Sequence, residues 1–263
     1  MLSAQNLSIG YSGRMLAADI SFTLSDGEVI AILGPNGCGK TTLFRTLLGL
    51  LPALHGTTLV NGHAIAALTP NMLARLIAYV PQNSTSFVNF SVIEVVEMAR
   101  TPHLAWYSSP GAKDRAIAEG ALEELNIGNF AEREFSELSG GEQQLVMIAR
   151  ALASEAKILL MDEPTASLDF GNQFLILDEI AKLKSRGVAV IFTTHDPGHA
   201  FRIADRTLTI ARSGQIQIGH TSAVLNAASL TALYGIGIEL IDSRHGPGIV
   251  ASPGSVQPLL GPE

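Results

Sequence analysis

The chain has 263 residues, 47% of them apolar and 16% charged. That composition excludes disordered and fibrous classes, and the length suits one large domain that withdraws about three quarters of its unfolded surface from water. Seventeen basic against twenty-four acidic residues leave a net charge of −7, so the positive field that a nucleic-acid partner needs is missing, and a single cysteine, Cys38, cannot close an internal disulfide.

Residues 1–30 read as short strands and turns: Leu7–Ile9, Ser12-Gly13, Ile20–Leu24 and Asp26-Gly27. Glu28–Leu33 is an apolar run that ends in glycines, and a helical pattern runs from Lys40 to Leu51, with Leu43, Leu47 and Leu51 at helical spacing. Ile77–Val80, Lys157–Asp162 and Val188–Thr194 are further buried strands. Apolar runs alternating with helices predict a parallel sheet covered on both faces. Residues of roughly 86–150 differ: Val92–Arg100, Lys113–Leu125 and Gly141–Ser154 read as helices with no strong strand between them, a helical subdomain inserted into the α/β core. The main domain is expected over 1–240 and a short tail over 241–263, with strand-like runs around His245-Gly246-Pro247-Gly248 and a mobile last dozen residues. The longest apolar stretches, such as Val29–Leu33 and Val188–Phe192, fall well short of the roughly 20 residues of a spanning helix. The N-terminus lacks the basic start and apolar run of a signal peptide. The expected location is cytoplasmic.

Gly34-Pro35-Asn36-Gly37-Cys38-Gly39-Lys40-Thr41 fits G-x-x-x-x-G-K-[ST] at every position. Glycines let the backbone approach an anion, successive N–H groups form a nest, and the next helix adds its positive dipole end. In such a cradle Lys40 meets β- and γ-phosphates, Thr41 ligates Mg2+ and Thr42 adds an α-phosphate contact. The bland alternative, a glycine-rich helix start, does not need the strand in front of it. Ile158–Met161 then runs into two acids, Asp162 and Glu163, at a strand's carboxyl end, where doubly wound sheets bind ligands. Neighbouring strand side chains point to opposite faces, which predicts separate jobs: Asp162 holding Mg2+ through water, Glu163 orienting the attacking water. A third signal is Leu138-Ser139-Gly140-Gly141-Glu142. Ser139 and Glu142 make a capping box, yet two glycines in a first turn weaken a helix. Bare N–H groups there could be offered to a phosphate held by another molecule; the residues alone leave both readings open.

In order and spacing these motifs resemble the ATP-binding subunits of ABC transporters over roughly residues 2–240. The resemblance implies a P-loop NTPase (RecA-like) α/β core with an N-terminal antiparallel β subdomain and an inserted helical subdomain carrying the signature. It makes Gly34–Thr41 the Walker A loop, Leu138–Glu142 the signature, and Asp162 and Glu163 the Walker B aspartate and catalytic glutamate. Gln82, after Tyr79-Val80-Pro81, matches the Q-loop glutamine and a Mg2+ or water contact. Ser167-Leu168-Asp169 matches the D-loop at a dimer interface, His195 the switch histidine on the γ-phosphate, and Tyr11 the aromatic that stacks on adenine. Cys38 is a variable loop position. The resemblance implies ATP and Mg2+, and two copies packed head to tail so that Walker A of one and the signature of the other enclose each nucleotide. It also implies permease subunits in the membrane, a binding protein outside it, and no nucleic acid.

The stretch Phe90–His103, together with Arg133–Leu138 and Ile191–His195, is similar to importers of iron chelates, haem, vitamin B12 and molybdate or tungstate. Two positions depart from that pattern: Ala99 stands where glycine is common, and Leu145 where arginine is; some molybdate-type importers share the second departure. Apolar residues of the stretch 83–107 (Phe87, Val88, Phe90, Met98, Trp106, Tyr107) are candidates for a groove that receives a permease helix, or else for subdomain core. The competing readings are an exporter ATPase and a soluble ABC ATPase, the latter disfavoured by the lack of tandem cassettes. A scaffold without turnover is disfavoured by Glu163 and His195.

Overall fold

Two long strands open the chain, β1 (Leu2–Tyr11) and β2 (Arg14–Leu24), paired antiparallel across the turn at Ser12-Gly13. The computed structural model describes residues 1–82, 87–105, 107–166, 168–241 and 247–252. After these strands come β3 (Val29–Leu33), α1 (Lys40–Leu47), β4 (His55–Val60), β5 (His63–Ala64), α2 (Pro70–Leu76) and β6 (Ile77–Val80). Next are the three helices α3 (Val92–Glu97), α4 (Ala112–Glu124) and α5 (Gly140–Ala153), then β7 (Ile158–Met161), α6 (Phe170–Ser185) and β8 (Ala189–Thr194). The chain goes on through α7 (Pro197–Ile203), β9 (Arg206–Ile210), β10 (Ile216–His220), α8 (Thr221–Val224) and α9 (Ala227–Tyr234), and its last described elements are β11 (Ile238–Ile241) and β12 (Gly248–Ala251).

The central sheet has the order β10-β9-β3-β8-β7-β6, parallel throughout except for β10. Every residue of β3, β7 and β8 is buried. Alternation splits β3 between two cores. Val29, Ala31 and Leu33 join α3 to α7 in one apolar cluster. Ile30 and Ile32 join Leu43, Phe44 and Leu47 of α1 and the inner face of the antiparallel sheet β2-β1-β4-β5 in the other. The expected β subdomain and inserted helices therefore each cover one face of the sheet. The insertion enters the chain between β6 and β7, and its α3, α4 and α5 share their apolar cluster with the sheet.

Three boundaries differ from the expectation. α1 stops at Leu47, not Leu51, because Gly49 takes φ 69°. The N–H groups of Gly49 and Leu50 then bond back to the Thr46 and Arg45 carbonyls, a Schellman stop. The helix from Val92 gives way after Glu97 to a tighter turn over Met98–His103 that contains Pro102. The β11–β12 hairpin crosses residue 240, with Ile238, Leu240 and Ile249 packed on the first cluster, so no structural boundary falls there. Trp106, Ser167, His245, Gly246 and residues 253–263 lie outside the described residues. Among the described residues no helix is long and apolar enough to cross a membrane.

Candidate functional site

The loop between β3 and α1 builds a cradle. Gly37 and Gly39 take φ 80° and 112°, conformations that only glycine adopts freely. Gly39 begins α1 with no side-chain cap, which leaves the first N–H groups of the helix facing the cleft. Gly34 is constrained sterically: a Cβ there would sit 2.4 Å from the Ile210 carbonyl oxygen and 2.6 Å from Cys38 Sγ. The cleft that opens over this loop has a volume of about 910 Å3. Its walls include Tyr11, Pro35, Asn36, Gly37, Gly39, Lys40, Thr41, Thr42, Gln82, Glu163 and His195. Gly34 and Cys38 do not line it. Cys38 is buried in the second apolar cluster, and that burial pushes its thiol pKa up.

Three polar side chains converge on the Glu163 carboxylate. Its Oε1 lies 3.4 Å from Lys40 Nζ, and its Oε2 accepts from Gln82 Nε2 at 3.1 Å and stands 3.6 Å from His195 Nδ1. Lys40, itself buried, also donates to the Gly34 carbonyl at 2.8 Å. Beside it, Thr41 Oγ1 donates to Asp162 Oδ2 at 2.9 Å, so Asp162 stands behind the P-loop threonine rather than at the cleft wall. Strand alternation predicted opposite faces for Asp162 and Glu163. The prediction fails because β7 ends at Met161 and Glu163 takes φ 46°, which turns both carboxylates toward the start of α1.

Ser139, Gly140, Gly141, Glu142 and Asp169 lie outside this cleft. The capping box at Ser139 is made: Ser139 N–H and Oγ donate to Glu142 Oε2, both at 2.8 Å, which holds that carboxylate below its usual pKa. Gly141 is held by its neighbours, since a Cβ would meet Leu168 at 3.1 Å. Gly140 is not: a Cβ there would meet nothing within 4 Å, and alanine at this exposed first-turn position would favour the helix by about 1 kcal/mol. Asp169 caps α6, accepting from Asn172 N–H at 2.8 Å.

Sequence reasoning missed several neighbours. Arg14, Leu16, Arg212 and Tyr234 also line the cleft. Tyr234, at the end of α9, donates its hydroxyl to the His195 carbonyl at 3.0 Å, and burial raises its pKa. Thr193 joins Asp162 to the Glu163 backbone. Only the last had a signal: two hydroxyls, Thr193 and Thr194, close an otherwise apolar buried strand. Of the groove candidates, Met98 lines a crease of about 510 Å3 beside Tyr79, Pro81, Met147 and Arg150. Phe87 is packed on Phe135 instead, and Tyr107 is 90% exposed.

A glycine cradle between a buried parallel strand and a helix, with a carboxylate pair just past the end of β7 in the same sheet, defines a P-loop nucleotide-binding ATPase. Residues 17–166 match the family described as ABC transporter. The molybdate import ATP-binding protein MolC of Haemophilus influenzae is 38% identical over 235 residues, covering 89% of this chain and 87% of its own. A solved metal-chelate type ABC transporter in an inward-facing conformation superposes with a TM-score of 0.84 at 35% identity, covering 95% of this chain and 97% of its own. A bacterial ABC transporter cassette solved as a dimer gives 0.74 at 27% identity, covering 84% and 99%. This chain belongs to the ABC transporter family. It is the family's ATP-binding subunit, and its ATP hydrolysis is coupled to transport.

Proposed function

We propose that this chain powers an importer for an oxyanion or metal chelate, the cargo class of the two relatives at 38% and 35% identity. The convergence of Lys40, Gln82 and His195 on Glu163 beside the P-loop carries the reading of the site. In that reading the loop N–H groups of Asn36–Gly39 and Lys40 hold the β- and γ-phosphates, Thr42 the α-phosphate, and Tyr11 stacks on adenine. Glu163 takes its orientation from its neighbours and accepts a proton from the attacking water, while His195 contacts the γ-phosphate.

The Thr41 hydroxyl, Asp162 and the Gln82 amide are hard oxygen donors that fit Mg2+, which needs few protein ligands when phosphates supply the rest. Among the described residues no group of three or more His, Cys, Asp or Glu side chains could hold a metal by itself. Mg2+ bound there would neutralise charge on the β- and γ-phosphate oxygens.

Gly140 supports a second copy in the assembly. Nothing within its own fold demands a glycine there, but a nucleotide approaching from another subunit would. Ser139, Gly140, Gly141 and Glu142 of one copy would then close over the phosphates bound to the other, with Asp169 at the seam. The crease around Met98 and Tyr79 is the proposed seat for a permease segment, which would hold the chain at the cytoplasmic face of the membrane with a binding protein beyond it. Uptake of molybdate, ferric chelates, haem and vitamin B12 by cells lacking the gene tests the import reading. Loss of one of these is expected, and full retention of all four would refute this cargo class.

A further inference from the structure

We propose that Thr193 is a positioning residue that fixes the aim of both Asp162 and Glu163, a role that rests on the functional reading given above. β8 is buried along its whole length, and Thr193 is 0% exposed between Phe192 and Thr194. A hydroxyl so placed is unfavourable unless it is bonded. Here both of its capacities are used. Thr193 Oγ1 accepts from the Glu163 N–H at 2.7 Å and lies 2.6 Å from Asp162 Oδ1. An N–H can only donate, so the single hydroxyl proton must go to the carboxylate.

The result is a one-way chain, Glu163 N–H to Thr193 Oγ–H to Asp162 Oδ1. The other Asp162 oxygen accepts from Thr41 Oγ1 at 2.9 Å. The carboxylate is therefore held between a hydroxyl of the P-loop helix and a hydroxyl of β8. Glu163 itself has φ 46°, a conformation that a residue with a Cβ keeps only when its surroundings hold it. The bond to its N–H comes from Thr193. One strand hydroxyl thus orients the proposed Mg2+ partner and locks the turn that sends Glu163 toward Lys40.

Thr193→Val keeps the shape and removes the hydroxyl. The Mg2+ concentration for half-maximal binding of a fluorescent ATP analogue to the full-length chain should rise about tenfold, and kcat should fall by a similar factor, as for other groups that orient metal ligands. Binding of the analogue in EDTA should stay within about twofold of wild type, since the P-loop is untouched. Thr193→Ser and Thr193→Ala repeat the comparison at smaller volume and decide the matter if valine unfolds the chain: serine should track wild type and alanine should track valine. Wild-type kcat and Mg2+ dependence in Thr193→Val or Thr193→Ala would overturn the proposal. So would a serine variant as impaired as alanine, because packing rather than the hydroxyl would then be responsible. An inactive wild-type chain would count against the functional reading alone, while the Mg2+-dependent binding would still judge Thr193.

Discussion

Adding one methyl group at Gly34 is a direct probe of how tightly the phosphate cradle is set against the sheet. In Gly34→Ala the new Cβ would lie 2.4 Å from the Ile210 carbonyl oxygen, about 1 Å inside the 3.4 Å at which ordinary contact begins, and 2.6 Å from Cys38 Sγ. The first neighbour is backbone at the end of β9 and cannot rotate away. Overpacking of this kind costs about 1–3 kcal/mol, which for a chain of this size lowers the melting temperature by roughly 2–12 °C. The Gly34 carbonyl also accepts from Lys40 at 2.8 Å, so the shift carries into the lysine proposed to hold the phosphates. Nucleotide affinity should fall at least about tenfold, or 1.4 kcal/mol. Differential scanning fluorimetry and titration with a fluorescent ATP analogue read the two effects. Cys38→Ala removes the sulfur but not the carbonyl, so the double variant should recover only part of each loss. Wild-type melting and affinity in Gly34→Ala, or complete rescue by Cys38→Ala, would refute the steric argument.

Lys40→Ala removes the cation between the Gly34 carbonyl and Glu163 and should weaken nucleotide binding at least about tenfold by the same titration; unchanged affinity would contradict the P-loop assignment. Glu163→Gln should bind ATP without turning it over and run as a dimer on gel filtration with Mg-ATP, whereas a monomer alone would defeat the two-subunit pocket. Ser139→Arg should abolish the turnover of the assembled transporter yet leave ATP binding by the isolated chain intact. Ser139→Asn controls for the cap, whose loss costs about 1 kcal/mol, and full ATPase activity in the arginine variant would reduce the motif to a helix cap. Burial holds the His199 pKa below its ordinary value against the opposing pull of Asp196. The unfolded chain therefore binds the proton more readily, and stability is lost as pH falls below about 6.5. Melting temperatures between pH 7.5 and 5 should drop less in His199→Asn than in wild type, and equal slopes would remove His199 from the account.

The parts of the site that were legible in the sequence are those whose chemistry is local. Gly34–Thr41 can be recognised because cradle, lysine and hydroxyl sit on consecutive residues, and the capping box at Ser139 because its partners are three apart. β6 is legible as Ile77–Val80, an apolar run that Pro81 stops. What escaped depended on contacts between distant segments. Tyr234 reaches His195 from 39 residues away, and nothing near it marks the cleft. The directions of Asp162 and Glu163 depended on a backbone turn that Thr193 supports from a different strand. Leucine spacing alone carries α1 on to Leu51, but Gly49 in its left-handed conformation ends the helix.

One helix joins the two ends of the machine. α5 runs 14 residues from the exposed Gly140 to Ala153, a rod of about 21 Å. Its N-terminal tip carries Gly140 and Gly141, proposed to close over a partner's nucleotide, and its far half supplies Met147, Arg150 and Ala151 to the crease beside Tyr79. A stiff bar of that kind does not absorb small rotations: tilting it by about 5° at the crease swings the tip by about 1 Å, enough to stretch a hydrogen bond past its working range. A push from a permease segment seated in the crease, as proposed, would therefore arrive at the opposite end as the making or breaking of the proposed phosphate contacts, through leverage alone and with no refolding in between.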